Sequence, residues 1–155
     1  MKTLTATCLL LGATLTTRAQ AAVATVKLPY GAVLTMRSVR FQPARHQYSA
    51  RIADTVDGQP IFGTDGELPQ SQLASASVLL GGVRYQLPVG RMYNPWAWGY
   101  EPNPRFFRLK RQGNGRGYLL AGIFSDGAGS YAARWLLADG RATRLVLSQD
   151  ETYFW

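Results

Sequence analysis

The sequence predicts an all-β protein, an antiparallel β-sandwich or small β-barrel of about eight strands in sequential hairpins. Segments rich in β-branched and aromatic residues recur at short intervals, and glycine-containing turns separate them. No segment shows a convincing apolar period of 3.6 residues, which is the mark of an amphipathic helix. The length of 155 residues suits one domain.

The N-terminal residues predict an export signal. Lys2 precedes a short apolar run over residues 4–15, and Ala19-Gln20-Ala21 forms a small-x-small cleavage site. We therefore assign residues 1–21 to a signal peptide and residues 22–155 to a single β-rich domain that is periplasmic or secreted after cleavage near Ala21. No apolar run reaches the length of about 20 residues that a membrane-spanning helix needs, so no transmembrane segment is predicted.

The cysteine count and the charge fit an exported domain. The only cysteine, Cys8, lies within the signal peptide, so we expect the mature domain to fold without disulfide bonds. The net charge is +8, and no acidic residue precedes Asp54. This balance favours a partner that is an acidic protein or an anionic wall polymer, although scattered arginines are also typical of an ordinary solvated surface. The predicted compartment disfavours nucleic acid.

The first predicted hairpin joins residues 33–41 to residues 47–56. Both segments alternate in part, and a turn containing Pro43 separates them. Residues 57–72 follow with two Asp-Gly pairs and two prolines, which predicts a long loop or a short helical turn starting near Leu68.

Glycine turns define the second and third predicted hairpins. In the second, only Gly81-Gly82 separates residues 76–80 from residues 83–89, and such a pair meets the positive φ angles of a two-residue primed turn. The third joins residues 105–111 to residues 117–124 across Gly113-Asn114-Gly115.

The fourth predicted hairpin has the clearest turn. Residues 130–138 meet residues 141–148 across Asp139-Gly140, a preferred type I′ dipeptide. A two-residue turn places Ala138 opposite Arg141, and Trp135 is then opposite Arg144. Both faces of this hairpin are largely apolar, so we expect it inside a two-layer structure.

The residues that support catalysis are scarce. His46 is the only histidine, and the mature chain has no cysteine, which excludes thiol nucleophiles and cysteine-rich zinc sites. Asp126, Asp150 and Glu151 are candidates for acid and base chemistry on a glycan, but each also fits a turn or a solvated end. The sequence therefore predicts no enzyme, no cofactor and no metal.

The best candidate site is the aromatic loop, which we define as residues 90–104. Three prolines forbid a central strand there, while tryptophan and tyrosine side chains suit stacking on sugar rings or anchoring a protein interface. Flanking arginines would hold a carboxylate. Alternatively, Trp96 and Trp98 plug one end of the sheet pair. The predicted binding residues are Tyr93, Trp96, Trp98, Tyr100, Arg91 and Arg105.

These observations together predict an exported, non-enzymatic binding protein. The preferred function is docking to another protein, as inhibitors and toxin-immunity proteins do, and the basic charge favours an acidic partner. The alternative is a cell-wall glycan or polysaccharide binder that uses the aromatic loop as a stacking platform.

Overall fold

The computed structural model describes residues 21–48, 55–96, 101–113 and 115–154, and within these ranges the chain is an all-β sandwich. Its ten strands are β1 (Ala21–Lys27), β2 (Val33–Arg40), β3 (Thr55–Val56), β4 (Gln59–Pro60), β5 (Ser71–Leu80), β6 (Val83–Leu87), β7 (Phe107–Arg111), β8 (Tyr118–Phe124), β9 (Tyr131–Ala138) and β10 (Arg141–Ser148). Short 3₁₀ turns occupy Pro29–Gly31, Pro43–Arg45, Pro104–Phe106, Gly127–Gly129 and Glu151–Phe154.

Eight of these strands form two four-stranded antiparallel sheets. The first sheet has the order β1-β2-β5-β6, and the second has the order β10-β9-β8-β7. The second sheet is thus a simple meander of consecutive strands. Because β6 lies against β10 and the turn after β1 lies against β7, the two sheets stack with their edges aligned. The predicted fold class is confirmed, as a sandwich.

The core lies between the two sheets. Alternate side chains of each strand point inward, so the strands bury one set of residues and expose the other. The largest fully buried side chains are Trp135, Tyr131, Leu34, Met36, Met92, Leu120, Leu137, Val26 and Val78. A second, smaller cluster of buried residues consists of Phe41, Val56, Ile61 and Tyr93.

The first predicted hairpin is wrong. Residues 33–40 do form a strand, but β2 pairs with β1 on one side and with β5 on the other. A 3₁₀ turn at Pro43–Arg45 follows β2, and Tyr48 makes an isolated bridge to Val56, while residues 49–54 of the predicted second segment lie outside the described residues. The partner that the prediction placed at residues 47–56 is β1, which joins β2 through the Pro29–Gly31 turn.

The other three predicted hairpins are confirmed. Gly81 and Gly82 have φ angles of 57° and 79°, as a two-residue primed turn requires, and Leu80 pairs with Val83. The hairpin of β7 and β8 pairs Arg111 with Tyr118. The third glycine turn therefore joins the two strands that the sequence predicted.

The predicted register of β9 and β10 is also confirmed at the turn. Ala138 lies opposite Arg141, and Trp135 lies opposite Arg144. Beyond Arg144 a β-bulge at Leu145 shifts the pairing. Because of this shift Leu147, instead of Val146, lies opposite the inward Ala133 and packs against the core, while Leu145 is exposed.

The C-terminal 3₁₀ helix, Glu151–Phe154, folds back across the outer face of the second sheet. It contacts β8 and β9, and the Phe154 side chain is buried. The Arg108 guanidinium lies 4.8 Å from the centroid of the Phe154 ring. This cover explains why Ala132, on the outward side of β9, is fully buried. In the described ranges no helix has the length and apolar character that crossing a membrane would require.

Candidate binding groove and docking face

Three loops meet at one end of the sandwich and enclose a groove of about 390 Å³. One loop precedes β5, another follows β6, and the third joins β8 to β9. These connections converge because β5 and β9 begin at this end and β6 and β8 end there. The lining residues are Gly63, Thr64, Asp65, Glu67, Leu68, Gln70, Ser71, Asn94, Trp96, Ser125, Asp126, Ala128 and Gly129.

Asn94 fastens the loops around the groove. Its Oδ1 accepts hydrogen bonds from the backbone N–H groups of Gln70 (2.9 Å) and Ser71 (3.0 Å). Its Nδ2 donates to the carbonyl of Gly63 at 2.8 Å. Asn94 has a φ of 40°, a left-handed conformation that asparagine tolerates better than most residues. One amide side chain therefore positions the loop before β5 relative to the loop after β6.

Two glycines allow the loops to approach closely. A Cβ on Gly63, whose φ is 99°, would lie 2.0 Å from the carbonyl oxygen of Tyr93. A Cβ on Gly129 would lie 3.1 Å from the Gly63 backbone. The hydroxyl of Tyr131 donates to the Tyr93 carbonyl at 3.1 Å, and burial raises the pKa of this phenol well above its ordinary range. The wall of the groove is therefore packed on its core side.

The loop between β8 and β9 supplies a serine and a carboxylate to the groove. Ser125 has a φ of 63°, its N–H donates to the Pro95 carbonyl at 3.1 Å, and its hydroxyl donates to the Gly63 carbonyl at 3.3 Å. Asp126 precedes the Gly127–Gly129 turn, and its side chain makes no capping hydrogen bond to that turn. The sequence suggested that Asp126 stabilises a turn. In the structure its side chain does not cap the turn and instead lines the groove.

The groove combines an indole with several carboxylates. Trp96 is half-buried, packs against the main core and lines the groove. Asp65, Glu67 and Asp126 are exposed and line the same space. Among the described residues, no arginine, lysine or histidine forms a salt bridge with any of these carboxylates. The groove is therefore an acidic site on a protein whose net charge is +8.

The described residues of the aromatic loop are divided between the core and the groove. Tyr93 is buried in the smaller cluster, and its ring contacts Phe41 edge to face at 5.6 Å. Burial is also the main cause that raises the pKa of Tyr93. Trp96 reaches the groove, while Trp98 and Tyr100 lie outside the described residues.

The two predicted arginines have different surroundings. Arg91 is half-buried, and its guanidinium lies 5.8 Å from the centroid of the Phe62 ring. It is also close enough to Arg144 to lower the pKa of that guanidinium, an effect second to burial. Arg144 donates to the Gly90 carbonyl at 2.6 Å. Arg105 is exposed in the Pro104–Phe106 turn, and the Asn103 side chain caps its N–H.

His46 has a structural partner that the sequence did not reveal. Its Nδ1 lies 2.7 Å from Oδ2 of Asp57, and its ring stacks on Phe41 at 4.8 Å. Oδ1 of Asp57 accepts from the Gln47 N–H at 2.9 Å. Hydrogen bonds from His46 and Gln47 lower the pKa of the Asp57 carboxyl below its ordinary value of 3.8. This pair connects the residues around the Pro43–Arg45 turn to the β3–β4 hairpin.

The remaining carboxylate candidates lie at the C-terminus. Asp150 accepts hydrogen bonds from the hydroxyl and the N–H of Thr152. Both bonds lower the pKa of the Asp150 carboxyl, and the bond from the hydroxyl has the larger effect. Glu151 accepts from the hydroxyl of Ser130. Both residues are exposed, and both hold the end of the chain in place. Across the described ranges, no cluster of three or more histidine, cysteine or acidic residues is arranged to hold a metal ion.

The outer face of the first sheet, here called the open face, is the second candidate surface. The four strands of this sheet contain no acidic residue. Val23 is 64% exposed and Leu79 is 38% exposed on this face. The cross-strand rows are Lys27–Val33–Leu79–Arg84, Thr25–Thr35–Ser77–Gln86 and Val23–Arg37–Ser75.

The open face is a cationic surface with apolar side chains among the charges. Lys27, Arg37 and Arg84 are exposed, and Arg84 donates to the Ser77 hydroxyl at 3.1 Å. The outer face of the second sheet differs, because the C-terminal 3₁₀ helix covers part of it and brings carboxylates. The sequence indicated a basic first third of the domain but did not identify this sheet face.

A scan against models of protein families, a search of curated proteins and a search of solved structures return no match to this chain. Functional proposals for the protein therefore depend on its own residues and their geometry.

Proposed function

We propose that this protein is an exported, non-enzymatic binding module that docks to an acidic protein, as inhibitors and immunity proteins do. The proposed signal over residues 1–21 would deliver it to the periplasm or the exterior. The observation that carries the docking proposal is the open face, whose strands hold Lys27, Arg37 and Arg84 and no carboxylate.

The charge of the open face determines which charge a partner should carry. A surface with cations and no acidic residue repels basic partners and attracts acidic ones, which increases the association rate at low salt. The open face also lacks internal ion pairs that a partner would have to break. An acidic protein therefore fits this face better than a neutral or basic one.

The apolar residues of the open face favour a protein over a charged polymer. Val33 and Leu79 lie between Lys27 and Arg84, and Val23 lies beside Arg37. A protein partner buries such side chains in the centre of an interface with charges at the rim. A polyanion would engage the cations and leave these side chains in water. The preferred occupant is therefore an acidic protein.

A capture experiment tests this proposal. The tagged mature protein is incubated with periplasmic extract, and bound proteins are identified by mass spectrometry. We expect a specific acidic protein whose binding weakens as salt is raised, because salt screens exposed charge pairs. The R37E/R84E variant should lose that protein.

The matched control is Arg141→Glu, which reverses an exposed charge at the β9–β10 turn, away from the open face. This variant should retain the captured protein. Equal loss with Arg141→Glu, or full retention by R37E/R84E, would show that the open face is not the docking surface.

Glycan binding is the second candidate function, and one observation favours it. Trp96, which the sequence placed in the stacking platform, lines a groove together with amide and carboxylate side chains. Aromatic rings with neighbouring hydrogen-bonding groups suit a sugar, which has apolar C–H faces and polar edges. Retention of the mature protein on a wall glycan, lost on Trp96→Phe but kept on Tyr30→Phe, would support this function.

A further inference from the structure

We infer that the groove binds an amino sugar, meaning a sugar unit with a protonated amine, and this inference rests on the glycan-binding alternative. The open face and the groove are different surfaces with opposite charge. Binding in the groove can therefore be tested without a protein partner.

Trp96 provides the surface for the sugar ring. Its contact with the main core fixes the indole, and its exposed part lines the groove. A fixed indole loses little conformational freedom when a ring stacks on it. Tryptophan is also the aromatic side chain that best attracts a cation. The same residue thus suits both the ring and the amine of an amino sugar.

The carboxylates of the groove select the charge of the ligand. Asp65, Glu67 and Asp126 line the space without a salt bridge to another described residue. A protonated amine would gain charge-assisted hydrogen bonds from them. A uronic acid or a phosphate would meet like charge instead. The groove is therefore expected to accept cationic sugars and reject anionic ones.

The polar wall of the groove suits hydroxyl groups. Thr64, Gln70 and Ser125 line it and offer donors and acceptors near the indole. Asn94 and Gly63 hold the loops together, so the wall is formed before a ligand arrives. The volume of about 390 Å³ falls in the usual range of small-molecule sites. One or two sugar units would fill such a space.

Three oligosaccharides of equal length test the selectivity by calorimetric titration of the mature protein. The probes are a glucosamine oligomer, its N-acetylated form and a galacturonate oligomer, at about pH 6, where an amine of this kind carries a proton. We expect the glucosamine oligomer to bind about tenfold more tightly than the N-acetylated form, and the galacturonate oligomer not to bind.

Two variants connect the binding to the groove. Asp126→Asn should weaken binding of the glucosamine oligomer about tenfold, because it removes one charge from the groove and no local cap. Asp139→Asn is the matched control, since Asp139 belongs to the β9–β10 turn and does not line the groove. The Asp139→Asn variant should bind the glucosamine oligomer as tightly as the unaltered protein does. Thermal unfolding of both variants verifies that they are folded.

The outcomes separate the inference from the function on which it rests. Equal binding of the glucosamine and N-acetylated oligomers would overturn the amino-sugar inference and leave glycan binding intact. Binding of none of the three would overturn both. An unchanged affinity in Asp126→Asn would place the ligand outside the groove. A simple diamine that binds as tightly as the glucosamine oligomer would contradict the inference, because the groove would then recognise positive charge alone and not a sugar ring.

Discussion

Asn94 shows how one side chain can determine the shape of a site. It accepts two backbone hydrogen bonds from residues at the start of β5 and donates one to Gly63. Without this side chain, the same backbone groups would need water or other hydrogen-bond partners. The groove therefore depends on an amide that lies between an aromatic residue and a proline in the sequence.

Asn94→Ala should lower the free energy of unfolding by about 2 to 3 kcal/mol, since it removes the acceptor of the partly buried Ser71 N–H and of the Gln70 N–H and puts an alanine at a φ of 40°. Urea denaturation measures this change. Asn103→Ala is the control, because its side chain makes one exposed capping bond to the Arg105 N–H. That control should cost about 1 kcal/mol or less. A similar cost for both variants would contradict the role given to Asn94.

Asp57 makes the free energy of unfolding depend on pH in the acidic range. The His46 and Gln47 hydrogen bonds lower its pKa in the folded chain relative to the ordinary value of 3.8. Such a carboxyl stabilises the fold above its unfolded pKa, and this contribution disappears as the pH falls through the folded pKa.

Asp57→Asn should therefore reduce stability near neutral pH and flatten its decline between about pH 5 and about pH 2. Asparagine tolerates the φ of 54° at this position, so the substitution isolates the charge. Urea unfolding across that pH range provides the measurement. In a His46→Ala background the same substitution should have a smaller effect, and an equal effect in both backgrounds would show that the pair is not coupled.

The sequence singled out some residues of the groove and missed others. Trp96 stood out in the sequence because aromatic residues are concentrated in a proline-rich loop; its side chain lines the groove, and its role in binding stays a prediction. Asn94 and Gly63 gave no such signal. Their importance arises from contacts between loops that are about 30 residues apart in the chain. The Asp57 partner of His46 was missed for the same reason.

At the scale of elements, the turns determine which strands pair. Gly81-Gly82 and Asp139-Gly140 encode two-residue hairpins locally, so the sequence predicted both hairpins and the register at the β9–β10 turn. The first predicted hairpin failed because β2 pairs with β1 across the short Pro29–Gly31 turn and with β5 across a much longer connection, so both of its edges are occupied. The sequence also predicted too short a β5, since the bulge at Ala74 interrupts its alternation.

Gly63 tests the claim that the loops are locked together. Gly63→Ala should destabilise the protein by more than about 3 kcal/mol, because the new Cβ would collide with the Tyr93 carbonyl. Gly58→Ala is the matched control, with a φ of 71° and no atom within 4 Å of its Cβ. It should cost about 1 to 2 kcal/mol, the strain of a left-handed alanine. Thermal or urea unfolding compares the two, and equal costs would mean that the loops separate easily.

At the scale of the whole molecule, opposite charges occupy different surfaces. The open face carries cations without acidic residues, whereas the groove carries carboxylates. The composition indicated only a basic protein with a net charge of +8. The separation could not be predicted, because residues from distant segments form each surface.

The two surfaces should respond independently to mutation. R37E/R84E should abolish capture of an acidic protein and leave the affinity for a glucosamine oligomer unchanged. Asp126→Asn should do the reverse. Additive effects are expected for sites without shared contacts. Parallel capture and titration experiments on the two variants provide the measurement, and loss of both activities in either variant would contradict two independent sites.

Docking through the open face is the central claim, and the two lysines of the proposed mature chain allow a direct test. Lys27 lies on the open face, and Lys110 is exposed on the second sheet. A carbodiimide joins a lysine amine to a carboxylate that is already in contact with it. Mass spectrometry of the cross-linked complex with the captured acidic protein should find the bond at Lys27. A bond at Lys110, with Lys27 unmodified, would contradict the account.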